Sequence, residues 1–109
     1  MNVSQLIEKA GLTVAAGSEL EYEIKDCYIG DLLSLAMARV KEGTVWVTIQ
    51  TNINIVAVAS LADAACIIIA DGFQPDENTA QKADVVGVPI LTTEKSAYEI
   101  AKVLSELDI

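Results

Sequence analysis

The side chains able to do chemistry are few, and most are oxygens. Asp31, Asp71 and Glu94 are the carboxylates beside predicted turns, where a catalytic acid or base would sit. Thr51, Asn52 and Asn54 add a hydroxyl and two amides, and Thr92 and Thr93 add two hydroxyls close to Ser96. Asp71-Gly72 supplies a tight turn, and Phe73 an aromatic ring at a loop tip. Each has two readings. Thr51, Asn52 and Asn54 touch a ligand or cap the helix that follows. Asp71-Gly72 approaches a ligand or simply turns the chain. Thr92 and Thr93 contact a ligand or cap a helix. Phe73 plugs the end of a sheet or anchors a partner.

Reactive partners for these groups are missing. There is no His, which removes the commonest general base and metal ligand together. Ser96 therefore has no base to activate it. Asp31 and Asp71 are isolated carboxylates, short of a metal-ligand set. Neither G-x-G-x-x-G nor G-x-x-x-x-G-K occurs, and Lys95 is the one cation in these stretches. No catalytic residue, metal or cofactor is expected.

The elements that must position these residues alternate between strand and helix. At the centre, residues 45–49 read as a strand, 50–54 as a polar turn, 55–65 as an apolar helix and 66–69 as a second strand. Such continuous apolar runs suit a β-α-β unit buried on nearly every side. Upstream, Asn2 and Gln5 cap a first helix that ends at Gly11. Residues 12–16 form a short strand. Leu20, Tyr22 and Ile24 alternate with Glu19, Glu21, Glu23 and Lys25, the pattern of a strand with one wet face near an edge. Cys27-Tyr28-Ile29 continues inward. A helix follows with Asp31 at its positive end and Gly43 as its stop. Downstream, Asp76 caps a helix that Gly87 ends. Residues 88–91 form the last strand, and Thr92 or Thr93 caps the final helix, with Glu94 in its first turn. The sum is one α/β domain over residues 1–109: a three-layer α/β/α sandwich with a mostly parallel sheet. Ligands of such sheets bind beyond the carboxyl ends of the strands. Those ends gather Gly30-Asp31, 50–54, 71–75 and 92–96 on one rim.

Composition narrows the partners. The chain has 109 residues, 52% of them hydrophobic, enough for one core. Its net charge of −9 argues against nucleic acid and anionic membrane surfaces and favours solubility, or a basic protein partner. Cys27 and Cys66 lie in apolar segments without C-x-x-C spacing and read as buried free thiols, which suits a reducing cytoplasm. No signal peptide is expected at the N-terminus. The Leu20-Tyr22-Ile24 strand and the surplus of apolar residues predict a homo-oligomer, a dimer being the commonest closed form.

Taken together, Tyr28-Ile29-Gly30-Asp31-Leu32-Leu33-Ser34, the central β-α-β unit, Ile67-Ile68-Ile69-Ala70-Asp71-Gly72 and Gly87-Val88-Pro89-Ile90-Leu91 resemble the DRTGG domain. The resemblance runs from about Cys27 to Leu107 and implies a fold like the N-terminal domain of HPr kinase. It implies a regulatory region without catalysis, of the kind found in some phosphotransacetylases and pyrophosphatases. The motif that names the family is split between two loops. Here the first reads Thr51-Asn52-Ile53-Asn54, with no Asp-Arg, and the second reads Ala70-Asp71-Gly72, keeping the last Gly alone. An anionic ligand held by the family's Arg therefore does not carry over. Similar stand-alone domains accompany electron-transfer proteins, which implies a larger protein partner. The alternative is a small-molecule sensor, for a nucleotide or metabolite, that uses the rim.

Overall fold

The computed structural model describes residues 1–109. Five strands form one sheet in the order β1-β5-β4-β3-β2: β1 Thr13–Ala16, β2 Asp26–Ile29, β3 Thr44–Thr48, β4 Cys66–Ile69 and β5 Ile90–Thr92. The pairs β2–β3, β3–β4 and β4–β5 are parallel, and β1 joins β5 antiparallel. The expected α/β/α sandwich with a mostly parallel sheet is what forms.

Alternation along the strands sorts the core into two layers. Trp46, Ile67, Ile69 and Ile90 face one side and pack with Ala36, Val56, Ala59 and Ala83. Those come from helices α2 (Leu33–Arg39), α3 (Asn54–Ala62) and α4 (Glu77–Val86). Val45, Val47, Cys66, Ile68 and Leu91 face the other side. There they meet Leu6, Ile100 and Leu104 from α1 (Val3–Ala10) and α5 (Ala97–Glu106). Every residue of β3 and β4 is buried, as their apolar runs require. Strands β2 to β5 are laid down side by side in chain order. Successive right-handed crossovers then place α2, α3 and α4 on one face, and α5 returns on the other.

Asn2 and Gln5 form the expected capping box on α1, and Gly11 ends it at φ 67°. The predicted strand around Leu20, Tyr22 and Ile24 does not form. Only an isolated bridge between Asn2 and Glu23 is present. The segment is extended, but its carbonyls go to a helix terminus: Tyr22 O accepts from Val3 N–H at 3.1 Å and Leu20 O from Ser4 N–H at 2.9 Å. Helix N-termini leave such donors free. Leu20 and Ile24 pack inward against the α1–α5 layer, so the alternation reports burial without a sheet. The dimer contact expected at that strand loses its basis.

Helix α3 also departs from expectation. It ends at Ala62, where Asp63 caps it at φ 57°, and it is buried on one side only. Ala57 and Leu61 face solvent, Leu61 with 84% of its surface exposed. Helix α2 stops at Arg39, before Gly43. No helix is long and apolar enough to cross a membrane.

Candidate functional site

The four loops do share a rim, since β2 to β5 run parallel. Along that rim the site residues fall into two groups.

The first group sits over β2 and β3. Asp31 does not take the expected place at the positive end of α2. That helix begins at Leu33 with Leu32 as its cap residue, and the Asp31 carboxylate turns elsewhere. Its Oδ1 accepts from Thr48 Oγ1 at 2.8 Å and from Ile49 N–H at 2.9 Å. Gln50 Nε2 donates back to Asp31 O at 3.0 Å. Asn52 Oδ1 accepts from Asn54 N–H at 3.0 Å, and Asn52 Nδ2 donates to Gln50 Oε1 at 2.8 Å. Asn52 is thus the residue that satisfies the start of α3, while Asn54 is its first residue. Thr51 O accepts from Asp76 N–H and from Thr79 Oγ1, tying this loop to α4.

The second group sits over β4 and β5. The loop after β4 leaves toward the α2–α4 face and the loop after β5 toward the α1–α5 face. A divergence of this kind is where open α/β sheets form their ligand crevice. The crevice is present as a dent of about 170 Å³, lined by Thr13, Gly72, Gln74, Thr92, Thr93 and Glu94. Ligand pockets usually run from about 300 to 1,000 Å³. Two backbone bonds at 2.9 Å lash the loops together: Asp71 N–H to Lys95 O, and Gly72 N–H to Thr93 O. Asp71 and Gly72 both have positive φ, 61° and 75°, and a Cβ on Gly72 would collide with the Glu94 carboxylate. The glycine is needed for the turn and for Glu94, which lies against it.

Thr92 belongs to β5 and is buried, and neither it nor Thr93 caps α5. Thr93 Oγ1 accepts from Lys95 N–H at 3.1 Å. The cap is Ser96, whose Oγ accepts from Glu99 N–H at 3.2 Å while Glu99 Oε1 accepts from Ser96 N–H at 3.1 Å. That backbone N–H holds the Glu99 carboxyl below the usual carboxylate range. Glu94 lies outside the helix. Phe73 is half exposed in its loop. Thr13 and Thr48 belong to the rim without a signal of their own in the sequence, whereas Gln50 and Gln74 lie in the rim loops expected at 50–54 and 71–75; Thr48 and Gln50 gain their roles through Asp31, 17 and 19 residues away.

No group of three or more His, Cys, Asp and Glu is arranged to hold a metal ion. Both cysteines are free. Burial pushes the Cys27 thiol up to about 11, with the Asp26 charge adding to it, and pushes Cys66 higher still. Neither holds a thiolate at neutral pH, the form a nucleophile needs. A wider depression, about 620 Å³, lies at the opposite end of the sheet beside Tyr22, Lys25, Glu42, Ser60 and Asp63. It is open, and Lys25 there is paired with Glu42 at the surface.

The DRTGG domain family model matches residues 4–107. One similar solved structure comprises the CBS and DRTGG domains of the regulatory region of Clostridium perfringens pyrophosphatase, complexed with the activator diadenosine tetraphosphate. The TM-score is 0.71 at 9% sequence identity, a likeness of fold alone. The match covers 94% of this chain and 45% of that one, so this chain spans less than half the length of that structure. No curated protein matches the chain significantly. With nearly its whole length matched by the family model, the chain belongs to the DRTGG domain family.

Proposed function

We propose that residues 1–109 form a non-catalytic regulatory module of the cytoplasm that works by protein contact, accessory to a metabolic or electron-transfer enzyme. Membership of a family whose members include a regulatory region supports this reading. The observation that carries it is the small size of the crevice, about 170 Å³. The loops that diverge over β4 and β5 are bonded to each other through Asp71, Gly72, Thr93 and Lys95, and Glu94 lies against the glycine. Over β2 and β3, Asp31, Thr48 and Gln50 are likewise bonded to one another.

A nucleotide sensor is the second reading, and one observation favours it: the pyrophosphatase regulatory region is complexed with diadenosine tetraphosphate. That region contains CBS domains as well as a DRTGG domain. A polyphosphate needs cations or a ring of free N–H donors. Here Asp31, Asp71, Asp76, Glu77 and Glu94 surround the rim with Lys95 the single cation in its loops.

Isothermal titration of the full chain with ATP and with diadenosine tetraphosphate separates the two. The expected result is no saturable heat up to about 1 mM nucleotide, which corresponds to less than roughly 4 kcal/mol of binding. Saturable binding that Asp31→Ala or Glu94→Gln alters would overturn the interaction reading in favour of the sensor.

A further inference from the structure

We propose that the rim loops after β3 and β4 form a docking surface for a basic amphipathic segment of a partner protein. The inference rests on the interaction-module reading and gives that partner its chemistry and its place. The two loops share one surface, because Asp76 N–H and Thr79 Oγ1 both donate to Thr51 O, at 3.0 and 2.8 Å. Hydrocarbon is exposed there: Phe73 with 49% of its surface, Ile53 with 38%, and Ile49 at the root of the first loop with 43%. With a dent of about 170 Å³ beside them, these loops offer a partner an outer surface more than a pocket.

Charge selects the occupant. Asp31, Asp71, Asp76, Glu77 and Glu94 stand around the rim against Lys95 alone, which makes −4 of the chain's −9. Asp31 is bonded to Thr48 Oγ1 and Ile49 N–H. The other four find no cation in the chain, whose ion pairs are those of the Met1 amine with Glu23 and of Lys25 with Glu42. Nor does the Asp76 carboxylate cap α4, although it stands at the cap position. Carboxylates gathered without counter-charges gain from a cation brought from outside, and exposed hydrocarbon gains from an apolar side chain. A segment with Lys or Arg around one apolar anchor brings both. The same field repels a second copy of the chain, a nucleic acid and an anionic lipid surface.

Fluorescence anisotropy tests this with a dye-labelled amphipathic peptide, Lys on one helical face and Leu on the other, titrated with the full chain. Its counterpart with Glu in place of every Lys is the control. The Lys–Leu peptide should bind saturably, with Kd below about 100 μM at about 0.15 M salt, and the Glu–Leu peptide should not bind. Phe73→Ala should weaken binding about 10-fold, as loss of an aromatic anchor does. Asp76→Asn with Glu77→Gln should weaken it about 5-fold and reduce its dependence on salt. Leu61→Ser, at the end of α3 far from the rim, should leave it unchanged. Far-UV circular dichroism confirms that each variant folds; the substituted positions are exposed, and if one rim variant unfolds the other decides. No binding up to about 1 mM overturns the proposal, and so does binding indifferent to both rim variants. Binding lost with Leu61→Ser instead overturns the rim as the docking place while leaving the interaction reading intact. That reading falls with saturable nucleotide binding, which the titration with ATP and diadenosine tetraphosphate reads separately.

Discussion

The rim of the sheet and the α2–α3 face use opposite chemistry. The rim is polar, and over β2 and β3 part of it is consumed within the chain, Asp31 by Thr48 and Ile49 and Asn52 by Asn54 and Gln50, while over β4 and β5 the Gly72 N–H goes to Thr93 O. The α2–α3 face is apolar, and Leu61 and Met37 are left largely uncovered by the chain. Satisfied hydrogen bonds leave little to gain from a ligand, while exposed hydrocarbon gains by leaving water. At the end where this fold class binds small molecules, the loops over β4 and β5 are therefore tied to each other by backbone bonds and leave a dent of about 170 Å³. What each surface still has to release differs: hydrocarbon alone on the helical layer, and unpaired carboxylates beside Phe73 and Ile53 at the rim.

The largest expected effect comes from the residue beneath both regions. Trp46 is fully buried under α2 and α3, and its Nε1 donates to Gly30 O at the rim at 2.9 Å. Trp46→Ala should cost about 4 kcal/mol in urea unfolding followed by circular dichroism. A loss below about 1 kcal/mol would mean the two regions share no support. Asp31→Ala should cost about 1–2 kcal/mol by the same assay, since buried Thr48 Oγ1 and Ile49 N–H lose their acceptor. Were Asp31 held ready for a ligand, its removal from a chain of net charge −9 would leave the free protein as stable or more so. Ser96→Ala removes the side-chain half of the α5 capping box and should cost about 1 kcal/mol, seen as a lower urea midpoint. Ser96 stands beside the rim yet serves the helix, and loss of a ligand response without loss of stability would reverse that assignment. Smallest of all, Leu61→Ser should shift the stability of the chain by no more than about 0.5 kcal/mol. A larger loss would show that Leu61 supports the fold and is not a free contact.

How much of this is legible in the sequence follows from the range of the interactions involved. Residues 66–69 announce β4 because an unbroken apolar run needs two covered faces, and no distant residue changes that. Asn2 and Gln5 announce α1 because both halves of the box lie three residues apart. Ser96-Ala97-Tyr98-Glu99 carries the same signal, but Thr92 and Thr93 compete with it as caps because they directly follow a strand. Thr92 is instead consumed as the last strand residue. The alternation through Leu20, Tyr22 and Ile24 correctly marks Leu20 and Ile24 as pointing inward. It does not say who takes the carbonyls, and the taker is the start of α1, far upstream in the chain. Topology alone places the rim loops on one edge. That Asp31 serves Thr48 across 17 residues, and that Glu94 lies against Gly72, depend on strand register and on loop shape. The exposed side of α3 has a sequence signal, a helix without charge, which burial on every side explains as readily as an unpartnered face.

Amide hydrogen exchange on the full chain, alone, with diadenosine tetraphosphate and with the Lys–Leu peptide, sets the two regions against each other in one measurement. The peptide should slow exchange in residues 49–54 and 71–77 and leave 57–62 unchanged, and nucleotide should leave 30–31, 50–54, 71–76 and 92–96 unchanged. Protection of those rim loops by nucleotide, with peptide protection confined to α2 and α3, would reverse the roles assigned to the two surfaces.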